Sequence, residues 1–197
     1  MARRGRITRR FTIRQYRDSD EAQVVELVRE LQAFESPLYQ WGKPPEHIGP
    51  WYLEETKKWC VKNEGLILVA ERAKALVGYA TILTKCESDG TGDEIAYTYA
   101  HVADLIVTKS ARRQGIGEAL VAGAEEIARE LGLTGLVLLT ETAARFFARR
   151  GFLPLARPHV PPAVQVSPES VSTTCRPARD ASIAVSSASD MPCADAD

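Results

Sequence analysis

The stretch Ala103-Asp104-Leu105-Ile106-Val107-Thr108-Lys109-Ser110-Ala111-Arg112-Arg113-Gln114-Gly115-Ile116-Gly117-Glu118 decides how the rest of the chain is read. It runs from an apolar, strand-like segment (Ala103 to Val107) through a glycine-bearing turn (Arg112 to Gly117) into an amphipathic run from Glu118 to Leu131. Glycines at 115 and 117 let the backbone approach a ligand with no Cβ in the way, and the first amides of the next helix have no acceptor within it. Such a turn is an anion site, strengthened by the positive end of the helix dipole and by two arginines.

Neighbouring residues separate the known phosphate-binding turns. A Walker loop ends in Gly-Lys-Ser/Thr, whereas Gly117 is followed by Glu118. A dinucleotide fingerprint needs a third small residue where this chain has Leu120. Nucleotide hydrolysis and a Rossmann site are therefore not supported, and R-x-x-G-x-G at a strand-to-helix junction is what remains.

Outward from the turn, the chain alternates strands and helices. Phe11 to Tyr16 alternates apolar and polar residues as a half-buried strand does, and Asp18 with Glu21 resembles a capping box that opens a helix. Val24, Leu27, Val28, Leu31 and Phe34 then give that helix one buried face. Ser36-Pro37 and Gly42 to Pro45 break the chain before a second helical stretch from about Glu46 to Val61, in which Trp51, Tyr52 and Trp59 read as core. Leu66 to Ala70 and Leu76 to Leu83 form a β-hairpin around Glu71 to Lys74. Cys86 to Gly92 reads as a loop, followed by a long strand from about Ile95 to Val107.

Past the turn, Ile116, Leu120, Ala124, Ile127 and Leu131 make one apolar stripe, and Gly132 can end the helix. Leu136 to Leu139 is apolar throughout, as in a strand covered on both faces. Strand, helix and strand here form a right-handed βαβ unit with parallel strands. The fold class is α/β (α+β): a mixed central sheet with one parallel βαβ unit and flanking helices. Residues 1–10 read as a basic, flexible N-terminus, 11–185 as the domain, and 186–197 as a disordered tail, with Ala181 to Val185 as a last antiparallel strand.

The motif, its position and a second landmark resemble the GNAT N-acetyltransferase superfamily. The landmark is Thr142-Ala143-Ala144-Arg145-Phe146-Phe147-Ala148-Arg149-Arg150-Gly151-Phe152, which is similar to the superfamily's A-x-x-F-Y-x-x-x-G-F segment. The resemblance covers about residues 11 to 165, and it implies a GNAT fold and acetyl-CoA as co-substrate. It assigns the cofactor to Leu105, Ile106, Val107, Arg112, Arg113, Gln114, Gly115, Ile116, Gly117, Glu118 and Thr140. The backbone amides around Ile106 and Val107 would polarise the thioester carbonyl.

By the same resemblance, the histone acetyltransferase branch places its base four residues before the strand's L-x-V-like triplet, which falls on His101. Tyr99, Asp104 and Glu94 compete for that role, and a strand's period of two keeps them from all facing the cleft. Where many members carry a tyrosine as the leaving-thiolate acid this chain has Phe147, so water, Tyr97 or Tyr99 would have to serve. Thr140 stands where many members have a cofactor-contacting Asn. From Leu138 to Val164 the chain resembles arsenic-resistance-type N-acetyltransferases and, more loosely, the acetyltransferase domain of N-acetylglutamate synthases. That favours an amino-acid-like amine as acceptor. The acceptor pocket is expected at Phe34, Glu35, Tyr39, Trp41, Glu94 and Tyr97, with Trp51 and Tyr52 as further aromatic walls where they are not helix core.

The expected function is transfer of an acetyl group from acetyl-CoA to a primary amine of a small molecule by direct attack in a ternary complex. The alternatives are a silent acyl-CoA-binding sensor and a peptide or protein N-acetyltransferase. Composition bounds the remaining classes. The 197 residues fit one domain, and a net charge of −1 gives no field for nucleic acid, although Arg3, Arg4, Arg6, Arg9 and Arg10 are clustered. Neither a secretory h-region nor a membrane-length apolar run is present, so the reading is a cytoplasmic protein without a membrane partner. Cys60, Cys86, Cys175 and Cys193 lie far apart, which indicates no metal site and no disulfide framework. A homodimer is carried as an expectation from the family.

Overall fold

The computed structural model describes residues 11–38, 43–87, 98–140, 142–155 and 182–187. Expectations placed on residues 1–10, Tyr39, Trp41, Glu94, Tyr97, Cys175, Cys193 and the chain beyond Ser187 lie outside these residues. The elements, in order, are β1 (Thr12–Gln15), α1 (Glu21–Glu35), α2 (Pro50–Lys62), β2 (Leu66–Arg72), β3 (Ala75–Glu87), β4 (Thr98–Val107), α3 (Ile116–Glu130), β5 (Gly135–Thr140), α4 (Ala144–Ala148), β6 (Leu153–Leu155) and β7 (Ser182–Ser187). Among the described residues the strands form one seven-stranded sheet in the order β1-β2-β3-β4-β5-β7-β6. Among the described strands only β4 and β5 run parallel, as the crossover through α3 requires.

Both faces of the sheet are covered. Val24, Leu27 and Val28 of α1 and Leu53 of α2 pack with Tyr79, Tyr99, Ile106 and Val137 on one face. Ile116, Leu120, Val121 and Ala124 of α3, with Phe147 and Phe152, pack with Ala100, Val102, Leu136 and Leu138 on the other. Each fully buried branched side chain of α3 contributes about 1.5–3 kcal/mol by leaving water. Gly123 brings α3 close to the sheet, since a Cβ there would lie 2.9 Å from Leu68 Cδ1. The helix stops as its sequence predicts. Gly132 adopts φ +67°, with Leu133 N–H donating to Ala128 O (2.9 Å) and Gly132 N–H to Arg129 O (3.1 Å), the paired bonds of a Schellman ending.

Several local expectations are corrected. Asp18–Asp20 is a 3-10 turn ahead of α1, and the Asp20 carboxylate closes that turn by accepting from Arg17 N–H at 2.8 Å. Asp20 also receives two bonds from Arg14, whose Nε donates to Glu71, so one guanidinium ties β1, the start of α1 and β2 together. Strand β3 continues through Cys86 to Glu87, where a loop was expected, because both residues pair with β4 (Cys86 with Tyr99, Glu87 with Thr98). The β2–β3 turn has positive φ at Ala73 (50°) and Lys74 (67°), the two-residue geometry that matches strand twist, reached without glycine. Ser186 and Ser187, assigned to the tail, belong to β7 and pair with Leu136 and Gly135, since ladder bonds need no apolar side chain. No helix among the described residues is long and apolar enough to cross a membrane.

Candidate active site

The sheet is not continuous between its parallel strands. β4 and β5 pair from Tyr99–Gly135 to Val102–Leu138 and part after that point. Beyond it β4 stays with β3, while Leu139 and Thr140 of β5 follow β7. The parting coincides with a bulge. Thr81 pairs with Asp104 and the next β3 residue, Ile82, pairs with Val102, so Ala103 is an extra residue on β4. A bulge bends its strand and raises the local twist, which is how one edge of a sheet is turned away from its neighbour.

The parting exposes backbone. Thr108 N–H donates to Val77 O (3.0 Å), which makes that pair a hydrogen-bonded one. By the alternation of an antiparallel ladder, Asp104 and Ile106 also direct their amides toward β3, whereas Leu105 and Val107 direct theirs into the gap. The expectation that the Ile106 amide faces the cleft is thus corrected to Leu105, with Val107 retained. The Ile106 side chain is buried among α1 and α2 residues.

The glycine turn closes the open end of this cleft. Arg113 (φ 60°) and Gly115 (φ 81°) are both left-handed, and the first bond within α3 is Ala119 N–H to Gly115 O (3.0 Å). The amides of Ile116, Gly117 and Glu118 therefore precede the helical ladder and face outward as an anion-binding cradle. A Cβ on Gly117 would stand 3.4 Å from Phe146 Cζ and 3.6 Å from Val107 Cγ2, so any side chain there would narrow the mouth of the cleft. A backbone cradle at the end of a parted pair of strands fits a phosphate followed by an extended arm, as coenzyme A requires.

Only part of the predicted donor set presents side chains to that cradle. Ile116 is fully buried and offers its amide alone. Gln114 faces the β2–β3 hairpin, accepting from Arg72 Nη1 (2.7 Å) and donating to Ser110 O (3.2 Å). Arg112 donates from Nε to Val107 O (2.8 Å), and its guanidinium lies over the Phe34 ring at 5.6 Å. Arg113 and Glu118 are exposed. The Thr140 hydroxyl accepts from Ala143 N–H (3.0 Å) and so caps the turn into α4.

On the α1–α2 face the three expected catalytic residues separate. Tyr99 is fully buried in the core, on the paired part of β4. His101 is also buried there, opposite Leu83 and Val137, and burial lowers its pKa to about 4. Asp104 lies just past the bulge, where Tyr52 of α2 donates its hydroxyl to Oδ1 at 3.0 Å. Burial drives the Asp104 pKa upward, against the pull of the Thr81 and Tyr52 hydroxyls toward the ionised form. Tyr52 and Thr81 were not singled out for this contact, which joins residues far apart in sequence.

At the expected acceptor mouth Phe34 is 45% and Trp51 44% exposed, so both leave the buried stripes that their helical spacing suggested. The Trp51 indole donates to His47 O (3.1 Å), and Lys43 Nζ lies 4.5 Å from the centre of its ring. Glu35 is half-buried at the end of α1. Phe147 is a core residue edge-on to Phe146 and Phe152, which leaves no hydroxyl at the place where many relatives carry one.

Parted parallel strands with an anion cradle at their open end form the site of an acetyltransferase. The sequence matches the Acetyltransferase (GNAT) family over residues 26–152, and the chain belongs to that family. No curated protein sequence matches it significantly. Solved structures share its fold. A GNAT-family acetyltransferase from Staphylococcus aureus Mu50 is 17% identical with a TM-score of 0.64, covering 91% of this chain and 99% of its own. N-acetylglutamate synthase from Neisseria gonorrhoeae, complexed with coenzyme A and N-acetylglutamate, is 24% identical with a TM-score of 0.64; the match covers 91% of this chain and 35% of the synthase. PaiA N-acetyltransferase from Thermoplasma acidophilum, in complex with coenzyme A, is 17% identical with a TM-score of 0.61, over 90% of this chain and 98% of that one.

Proposed function

We propose that the protein acetylates the primary amine of a small, amino-acid-like molecule by direct attack in a ternary complex. The observation that carries this reading is the parting of β4 and β5 after Val102 and Leu138, beside the cradle at Gly115–Glu118. Acetyl-CoA supplies an activated acyl carbon as a thioester. Leu105 and Val107 offer backbone donors along the edge where that carbonyl would lie, held in place by the β3 ladder and needing no reorganisation. The backbone amide N–H groups of Ile116, Gly117 and Glu118, with the Arg113 side chain, hold the phosphates.

Asp104 is the favoured base: it is the carboxylate at the parting, and its raised pKa makes it a stronger proton acceptor once ionised. His101, with a pKa near 4, is a weak base set in the paired part of the sheet. Cys60 and Cys86 are buried thiols with pKa values pushed up to about 11, which supports direct attack over a cysteine-bound acetyl group. An amino-acid-like acceptor is supported by the N-acetylglutamate bound in the gonococcal synthase and by the aromatic, cation-flanked surfaces of Phe34 and Trp51.

The test is free-thiol release from acetyl-CoA across amino acids, polyamines, aminoglycosides and N-terminal peptides, with a no-acceptor control. Release dependent on amino acids is the expected result. Release only with peptides would move the acceptor to protein N-termini, and release with none, alongside tight acetyl-CoA binding, would favour the sensor.

A further inference from the structure

Glu30 lies on α1, one turn before Phe34, and its carboxylate reaches across to the segment that joins β4 to the anion cradle. One oxygen accepts from the Thr108 hydroxyl at 2.6 Å and the other from Lys109 N–H at 2.7 Å. The segment between is a single 3-10 turn, Lys109–Ala111, closed by Ala111 N–H to Thr108 O at 2.9 Å. Glu30 therefore satisfies a donor at the start of that turn, as a capping residue would, although it comes from a helix far away in sequence.

The turn ends at Arg112, and α1 holds that end too. Arg112 Nη2 lies 4.0 Å from Glu30 Oε1, its guanidinium covers Phe34, and its Nε is fixed on Val107 O. One helix face thus grips both ends of residues 108–112. Electrostatics alone argues against this placement, because a carboxylate beside a phosphate cradle repels the ligand that the cradle is built for. Its contribution has to be geometric and larger than that repulsion.

We infer that Glu30 is a positioning residue for the donor site, clamping the β4–α3 turn so that the backbone cradle that follows it is preorganised for the phosphates of acetyl-CoA. The inference rests on the cleft being the acetyl-CoA site. It also makes α1, the helix beside the acceptor mouth, part of the donor site's support.

The test is acetyl-CoA affinity by titration calorimetry on the full chain, backed by steady-state kinetics. Glu30→Ala loses both bonds, so its Kd rises about tenfold while kcat stays within about threefold. Glu30→Gln rescues: its carbonyl accepts from Lys109 N–H, its amide donates to the Thr108 oxygen, and with the charge gone its Kd equals or falls below that of the wild type. Thr108→Val loses one bond and raises Kd about threefold. A Glu30→Ala protein that binds as tightly as wild type, or more tightly, overturns the inference and leaves Glu30 as a repulsive neighbour. Should Glu30→Ala not fold, Thr108→Val with unchanged affinity overturns it equally. If wild type itself fails to bind acetyl-CoA, the failure belongs to the reading of the cleft.

Discussion

Replacing His101 with Asn separates a core histidine from a catalytic one. In the unfolded chain an imidazole titrates near pH 6.5, whereas burial lowers the native value to about 4. Between these values the unfolded state binds more protons than the native one, so stability is full above pH 6.5 and is lost as pH falls toward 4. The whole shift corresponds to about 3 kcal/mol, and lowering the pH from 8 to 5 removes about 2 kcal/mol through this side chain alone. Urea unfolding of wild type and His101→Asn at both pH values isolates the effect, since the two proteins differ in this one titratable side chain. The wild type is expected to lose about 2 kcal/mol more than the variant over that interval. Equal losses would mean that His101 is solvated in the native protein and that its assigned burial is wrong. Turnover at pH 8 gives a second arm. A core role predicts kcat within about tenfold of wild type, whereas loss of the base costs about 10²–10⁴.

Tyr52→Phe removes a donor that favours the ionised form of Asp104, so the acid limb of kcat/KM moves to higher pH; a limb that stays in place would exclude Asp104 as the base. Gly115→Ala meets no neighbour yet has to hold φ +81°, at a cost of about 1–2 kcal/mol and a Tm lower by about 2–8 °C, and Gly115→Asn recovers part of that loss. Gly117→Val brings methyl groups against Phe146 and Val107, and the acetyl-CoA KM rises sharply; an unchanged KM would place the donor elsewhere. Cys60 and Cys86 resist alkylation at pH 8 in peptide-mapped labelling until the protein is unfolded, because burial keeps both as thiols.

The cradle was legible in the sequence because backbone conformation leaves a residue signature there: Gly115 is left-handed, and a Cβ at Gly117 would already touch Phe146 and Val107. The helix faces were legible from periodicity at Val24, Leu27 and Val28, where the partner is the sheet. At Phe34 and Trp51 the same spacing continues past the sheet's cover, so periodicity suggested burial that tertiary structure does not supply. The parting of β4 from β5 is a register event between strands, and no composition marks Ala103 as the extra residue. The contacts of Glu30 with Thr108 and of Tyr52 with Asp104 join residues 78 and 52 positions apart, beyond the reach of any local pattern. His101 was found by counting along a strand, which fixes its place in the chain but not its depth below the surface.

The position of β7 has a bearing on how the protein is made. It lies between β5 and β6, both of which precede it in the chain, so on the ribosome the apolar β5 emerges with one edge unpaired and keeps it until residues 182–187 arrive. Meanwhile that edge is a template for any other extended segment. Chaperones acting late in synthesis would meet a domain complete on the β1 side and open on the other. A ribosome stalled before Ser182 should therefore display a nascent chain that aggregates through β5.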